Sequence, residues 1–372
     1  MNKLSAWIAG TLVAAAIAVT AAGPASAGIT ETFTVISGLP GGHPAVRIFR
    51  EHFRKALEQQ LVLAGDGVKI EWRPAYDGII AKYGDVLEAI ADGVGEIGIV
   101  AVDNERRRLP LQDISFQLPF VTTQCTIAAR AYHELHKQKI SMNKPWQEMR
   151  QIYLANITTD GYGLFTGQKI KQIADLRGLT LGMAVRIESW LSGVAATPFR
   201  LPLSQVAGSF EGDVIQGAIL PMTEIAELSL ERQLSNYLLA EFGPQTAYVI
   251  TFNERRFTDL SAETRRALLA AADQFVPIGA QAYCDAGANA LVDAQERGVR
   301  TQRFYNSRRE QWVSALPPLG EMWASDREAK GYAGNEILIA YMENLRAAGA
   351  TPKRDWELDL PPAPESESEP KS

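Results

Sequence analysis

Apolar and polar positions alternate from Thr32 through Phe33, Thr34 and Val35 to Ile36, the pattern of a half-buried strand. The run Gly38-Leu39-Pro40-Gly41-Gly42-His43-Pro44 then reads as a turn into a helix, with proline at a first-turn position where its missing N–H costs nothing. Val46, Phe49, Phe53 and Leu57 recur at three- and four-residue spacing and line one face of that helix; Arg47, Arg50, Glu51 and Arg54 take the other. Val68 to Trp72 predicts the next strand, Asp85 to Ala91 a short helix closed by Gly93, and the unbroken apolar run Ile97 to Val102 a strand buried on both faces. Strand and helix in alternation imply a parallel sheet. Asp92-Gly93 before Gly98-Ile99-Val100 is echoed by Glu211-Gly212 before Gly217-Ala218-Ile219, which suggests two α/β lobes of similar build.

Between and beyond these units, Leu154–Thr158 and Tyr162–Thr166 read as strands, Ile173 to Leu181 as a helical turn feeding a strand, and Ser189–Ala196 as a helix. Tyr248–Phe252 predicts a strand returning the chain to the first lobe. Ser261 with Glu263 opens a long helical region on which Leu268, Ala271, Ala272 and Phe275 share a face, with breaks expected near Pro277 and Pro317-Pro318 before it ends about Ala348.

The two ends differ in composition. Lys3 precedes a nearly all-apolar stretch, Leu4 to Ala22, and Ala25-Ser26-Ala27 supplies the small-x-small cleavage pattern, so residues 1–27 read as a secretory signal and the protein as periplasmic. A membrane anchor is disfavoured by Gly23-Pro24 and the absence of a basic stop-transfer cluster. Residues 356–372, rich in proline, glutamate and serine, read as a disordered acidic tail.

Composition mainly excludes. A formal charge of -6 and pI near 5.5 argue against nucleic acid as a partner. Arg106-Arg107-Arg108 is the densest basic cluster and reads as a solvated turn. Two cysteines, Cys125 and Cys284, cannot make a disulfide framework; they read as small buried residues, with pairing as the alternative. His133 and His136 lie on one helical face but lack a third ligand nearby, so they read as a surface pair rather than a metal site. No Gly-x-Ser-x-Gly elbow, phosphate loop or His-Glu-x-x-His motif is present. No cofactor is implied, and the expectation is capture of a ligand rather than catalysis.

Several motifs carry a resemblance. Asp175-Leu176-Arg177-Gly178-Leu179, Gly193 with Ala196-Thr197-Pro198, Leu201 to Val206, and Gly217-Ala218 followed by Pro221 resemble the second lobe of solute-binding proteins of tripartite ATP-independent periplasmic (TRAP) transporters, the C4-dicarboxylate-binding group. His43-Pro44, Glu96 to Val100, Leu118-Pro119-Phe120 and Tyr248-Val249-Ile250 with Asn253 agree with the first lobe. The resemblance covers roughly 32 to 330. It implies an α/β, two-lobed periplasmic-binding-protein fold, type II-like, with long C-terminal helices. On this basis lobe I takes 28–155 plus about 250–330 with its helical elements, lobe II takes 156–249, and a C-terminal helix takes 331–355. It also implies that a small organic solute, an organic acid or a less polar relative, closes between the lobes and passes to TRAP permease membrane subunits. A secreted hydrolase-like enzyme and a ligand-binding sensor are the competing readings.

Departures from the family pattern shape the expected site. Its members place arginine where this chain has Gly182, a second arginine where it has Gly163, and asparagine where it has Leu220. A pocket without those groups should be roomier and less cationic. Arg186 is the candidate to replace the lost clamp, Trp190 a candidate aromatic wall, and His43, Tyr76, Asp77, Asp160 and Tyr162 the candidates to face the ligand from loops and strand starts.

Overall fold

The computed structural model describes residues 29–65 and 67–362. Two sheets form the framework. The first contains β1 (Thr30–Ile36), β2 (Lys69–Ala75), β3 (Ile97–Ala101), β4 (Gln151–Thr158) and β10 (Thr246–Asn253) in the order β2-β1-β3-β10-β4. The second contains β5 (Tyr162–Thr166), β6 (Thr180–Met183), β7 (Thr197–Arg200), β8 (Gly217–Pro221), β9 (Asn236–Gly243) and β11 (Arg300–Arg303) in the order β11-β9-β5-β8-β6-β7. The repeat seen in the sequence is topological. In each lobe three parallel strands, β2-β1-β3 or β7-β6-β8, lie beside an antiparallel strand that has crossed from the other lobe, β10 or β5.

The crossings define the hinge. β4 runs into β5 and β9 into β10 with only a few residues between, and Thr159 N–H donates to Gln245 O at 2.9 Å where the two connections pass. Helices α1 (Pro44–Ile48), α2 (Arg54–Ala64), α3 (Val86–Ala91), α4 (Ile114–Gln117), α5 (Cys125–Gln138) and α6 (Ile140–Glu148) belong to the first lobe. Helices α7 (Val206–Glu211) and α8 (Met222–Glu227) belong to the second, and α9 (Glu254–Asp259) follows the return crossing. Helix α10 (Ala262–Glu296) contacts α2, α5 and β4 of lobe I and α8 of lobe II. It starts where the sequence says it should, since Ser261 Oγ accepts from Thr264 N–H at 3.0 Å. Helices α11 (Asn306–Ala315), α12 (Leu319–Glu328) and α13 (Gly334–Ala347) complete the chain.

Several expectations require correction. Pro277 does not break α10, which runs through it between lobes that bury its inner face. Residues 188–191 form only a 3-10 turn, not a helix reaching Ala196. Arg300–Arg303, assigned to lobe I, pairs in parallel with β9 as the edge strand of lobe II. The tail does not begin at 356: Trp356 is fully buried in a 3-10 turn and its indole donates to Pro119 O at 3.2 Å. The proposed signal (1–27) and the rest of the tail (363–372) lie outside the described residues. Cys125 on α5 and Cys284 on α10 form a disulfide, with Cα atoms 6.2 Å apart, within the range the bond requires.

His133 and His136 are buried, not a surface pair. His133 bridges Tyr153 Oη (3.0 Å) and Asp273 (2.8 Å); His136 stacks on the Tyr153 ring and contacts Asn143 and Gln112 at 2.8 and 2.9 Å. Burial pushes the His136 imidazole down to about 3, so it stays uncharged inside the lobe. The arginine cluster is not simply solvated either: Arg106 pairs with buried Asp113 at 2.5 Å. Among the described residues no group of His, Cys, Asp and Glu is placed to hold a metal, and no helix is long and apolar enough to cross a membrane.

Candidate functional site

Two loops of lobe I are held together before they meet lobe II. The first, Gly38 to His43, lies against the loop that follows β2. A Cβ on Gly38 would come within 2.2 Å of Tyr83 N, so only glycine permits this approach. Gly41 N–H donates to Asp77 Oδ1 at 3.2 Å, which ties the loops and leaves Asp77 exposed with a φ of 60°. Tyr76 is buried beside them, its hydroxyl pKa raised by desolvation against the opposing pull of Arg54 and Arg50. Asp77 and Tyr76 therefore shape the wall; Tyr83, on the same loop, is 43% exposed overall, with its hydroxyl end toward that of Tyr248 on β10.

His43 caps α1 and reaches across to lobe II. Its Nδ1 accepts from Ala45 N–H at 3.2 Å, which leaves the ring proton on Nε2, 3.1 Å from Oε1 of Glu224 on α8. The Tyr248 ring meets the imidazole edge-on, with centroids 5.6 Å apart. Glu224 also lies within electrostatic reach of Tyr83, Tyr162, Tyr248 and Tyr283, whose hydroxyls are all held in the phenol form by desolvation. The carboxylate is 5% exposed, and its second oxygen has no hydrogen-bond partner. The fully buried Tyr283 hydroxyl, near Thr223, makes no well-formed hydrogen bond either. The junction thus joins both lobes and retains unused hydrogen-bonding capacity.

Asp160 sits where the chain enters lobe II. Oδ2 accepts from Met222 N–H (2.7 Å) and Thr223 N–H (3.4 Å), and Oδ1 from Thr223 Oγ1 (2.6 Å), so the carboxyl fixes the start of α8 and hence Glu224. Desolvation outweighs these bonds, Glu224 adds repulsion, and the Asp160 pKa is pushed up to about 7. Asp103, in lobe I, is pushed up to about 6 by desolvation, with Arg106 and Arg186 opposing. A carboxyl raised in the folded state binds protons that the unfolded chain has released, so its contribution is complete below about pH 4 and is lost as pH rises through the folded value. The Asp160 contribution should therefore decline between about pH 4 and pH 7, by a few kcal/mol for a shift of this size, against an opposing rise from buried His136 over the same range. Urea titrations should show the wild type losing stability relative to Asp160→Asn as pH rises; a difference between the two that stays constant from pH 4 to 7 would contradict this assignment.

The remaining candidates fall into two groups. Tyr162 and Trp190 belong to the junction. The Tyr162 ring meets Phe116 of lobe I and Trp190 edge-on at 6.2 and 5.6 Å. Trp190 is fully buried behind Tyr162, stacked on Phe242, and its indole donates to Phe116 O at 2.8 Å, so it latches lobe to lobe more than it offers a wall to a ligand. Arg186 is exposed; its backbone N–H donates to Asp103 Oδ1 at 3.3 Å and its charge acts on that carboxylate.

Gly163, Gly182 and Leu220 do not open a roomier pocket. A Cβ at Gly163 would meet the Tyr237 hydroxyl at 2.3 Å, and one at Gly182 would meet Ile215 at 2.7 Å and Leu201 at 3.3 Å. Leu220 is buried in the same smaller core as Tyr237, Ile215 and Leu201. The space beside Gly163 is thus taken by the Tyr237 phenol and that beside Gly182 by aliphatic side chains. Beside the junction lies a cavity of about 330 Å³, bounded by Thr123 of lobe I, Asp160, Tyr162 and Tyr237 of lobe II, and Gly287 of α10.

Tyr83, Asp103, Glu224, Tyr248 and Tyr283 were not singled out from sequence. Tyr248 stood inside a recognised motif, and Glu224 lies three residues past the family proline, Pro221; Tyr283 had no signal distinguishing it from a core position of a long helix.

A family model, bacterial extracellular solute-binding protein, family 7, matches residues 38–326. Among solved structures, a TRAP periplasmic solute-binding protein from Desulfovibrio salexigens is similar with a TM-score of 0.74 at 17% identity, covering 86% of this chain and 97% of that one. A marine metagenome TRAP solute-binding protein specific for aromatic acid ligands, solved with 3-hydroxybenzoate, gives 0.72 at 18% identity, with 86% and 99% covered. A Bordetella pertussis extracytoplasmic solute receptor binding pyroglutamic acid gives 0.69 at 16% identity, with 85% and 100% covered.

Proposed function

The chain belongs to family 7 of the bacterial extracellular solute-binding proteins, receptors rather than enzymes, and we propose that it captures its solute at the junction of His43, Tyr83, Tyr162, Glu224 and Tyr248. The observation that carries this reading is the pair of buried atoms without partners, Glu224 Oε2 and Tyr283 Oη, at the place where the lobes meet. Leaving such groups unpaired costs about 1–3 kcal/mol each, and a bound solute that supplies partners recovers it. Capture then follows hinge closure: the β4–β5 and β9–β10 crossings bend, and His43 of one lobe meets Glu224 of the other.

In this reading residues 1–27 direct export to the periplasm and the loaded receptor docks on TRAP permease membrane subunits. The Cys125–Cys284 disulfide supports an oxidising compartment. The relatives' aromatic acids and pyroglutamate support a small organic solute of similar size. Mass spectrometry of small molecules released from the purified mature chain should find one solute per chain, and Tyr162→Ala should weaken its rebinding at least tenfold in calorimetry. A chain that releases no solute, and whose melting temperature no small molecule raises, would refute the receptor assignment to this junction.

A further inference from the structure

We infer that the solute presents a positively charged nitrogen to Glu224, inside a surround of tyrosines, in place of a carboxylate held by arginine. This rests on the receptor reading above and assigns the ligand's chemistry. Glu224 Oε2 can only accept, so whatever satisfies it must donate or carry positive charge. His43 does not satisfy this oxygen: its Nε2 is directed at Oε1, while Nδ1 accepts from Ala45 N–H. Tyr83, Tyr162, Tyr248 and Tyr283 supply rings and hydroxyls around it, and ring faces attract cations through their quadrupole.

The charges nearby point the same way. Asp103 and Asp160 lie within reach of the same tyrosines, so an incoming carboxylate would face three acidic side chains. Of the cations that act on this region, Arg106 pairs with Asp113, and the exposed Arg186 acts with it on Asp103. Gly163 and Gly182 bring no cation to the region, and the space beside them is filled by Tyr237, Ile215 and Leu201. An ammonium group relieves the acidic repulsion that a carboxylate would increase.

The test uses the mature protein with choline, putrescine and tetramethylammonium as nitrogen cations, benzoate and succinate as anions, and xylitol as a neutral polyol, alongside the solute released on denaturation. The expected result is a released molecule with a basic or quaternary nitrogen, thermal stabilisation confined to compounds of that class, and at least a tenfold loss of affinity in Glu224→Gln. Glu224→Asp, which keeps the carboxylate, should retain more affinity than the isosteric Glu224→Gln, and so separates loss of charge from change of shape at the junction. A released or stabilising compound that is an anion or a polyol without cationic nitrogen, or unchanged affinity in Glu224→Gln, overturns the inference and leaves the receptor intact. No released solute and no response to any compound overturns the receptor reading together with it.

Discussion

Reduction of the Cys125–Cys284 disulfide should lower the stability of the protein by up to about 5 kcal/mol, because it releases a loop closed across a sequence separation of 159 residues. The bond restricts the unfolded chain, and the chain-entropy estimate grows with the logarithm of loop length. Its placement also matters to the fold. Cys125 begins α5 of lobe I, and Cys284 follows Tyr283 on the helix that contacts both lobes, so the cross-link anchors α10 beside the junction. Cys125→Ser, Cys284→Ser and the double variant should lose nearly the same stability, since each removes the same bond. Guanidinium titrations of oxidised and reduced protein measure this directly. A reduced protein with an unchanged midpoint would show that the cross-link adds nothing, and strongly additive single variants would show that the cysteines matter through packing instead.

The disulfide also illustrates which features local pattern carries. β3 was legible because a strand buried on both faces is apolar at every position, and the start of α10 because Ser261 is a side-chain cap adjacent to its helix. The two-lobe repeat was legible because each lobe turns at a glycine-bearing segment between helix and strand, α3 to β3 and α7 to β8. A bond between cysteines 159 residues apart has no local signature. Nor does β11, whose Arg-Thr-Gln-Arg sequence lacks apolar alternation and is a strand because β9 offers an open edge. Pro277 reads as a break in the sequence because helix propensity takes no account of the packing that holds α10 on both sides. At the site, His43, Asp160 and Tyr162 were accessible because they stand at strand and helix starts. Glu224 and Tyr283 sit on helices, where a buried polar group reads from sequence like any other position, and their role emerges only when the lobes are brought together.

Asp113→Ala should cost about 3 kcal/mol, because it takes a fully buried carboxylate from two guanidinium groups and leaves Arg327 with only the half-exposed Asp326. Asp113 is fully buried, and its carboxylate receives Arg106 at 2.5 Å, Arg327 at 3.2 and 3.3 Å, the Trp323 indole at 3.0 Å and Gln117 at 3.2 Å. Arg327, on α12, is 4% exposed and keeps only the half-exposed Asp326, so removing Asp113 leaves its Nη2 unpaired where water does not reach. The cluster therefore ties the C-terminal helices to the segment 102–117 of lobe I. That segment carries Asp103 and Phe116, whose carbonyl accepts the Trp190 indole and whose ring meets Tyr162. Loss of Asp113 should consequently weaken solute binding as well as stability, although Asp113 touches no part of the junction floor. Arg327→Met in the Asp113→Ala background should restore part of the lost stability, since the stranded charge leaves with it. Denaturant titrations of the two single variants and the double complete the cycle. A loss below 1 kcal/mol for Asp113→Ala, or simple additivity with Arg327→Met, would mean that water reaches this cluster and that the C-terminal helices are held to lobe I by apolar contact alone.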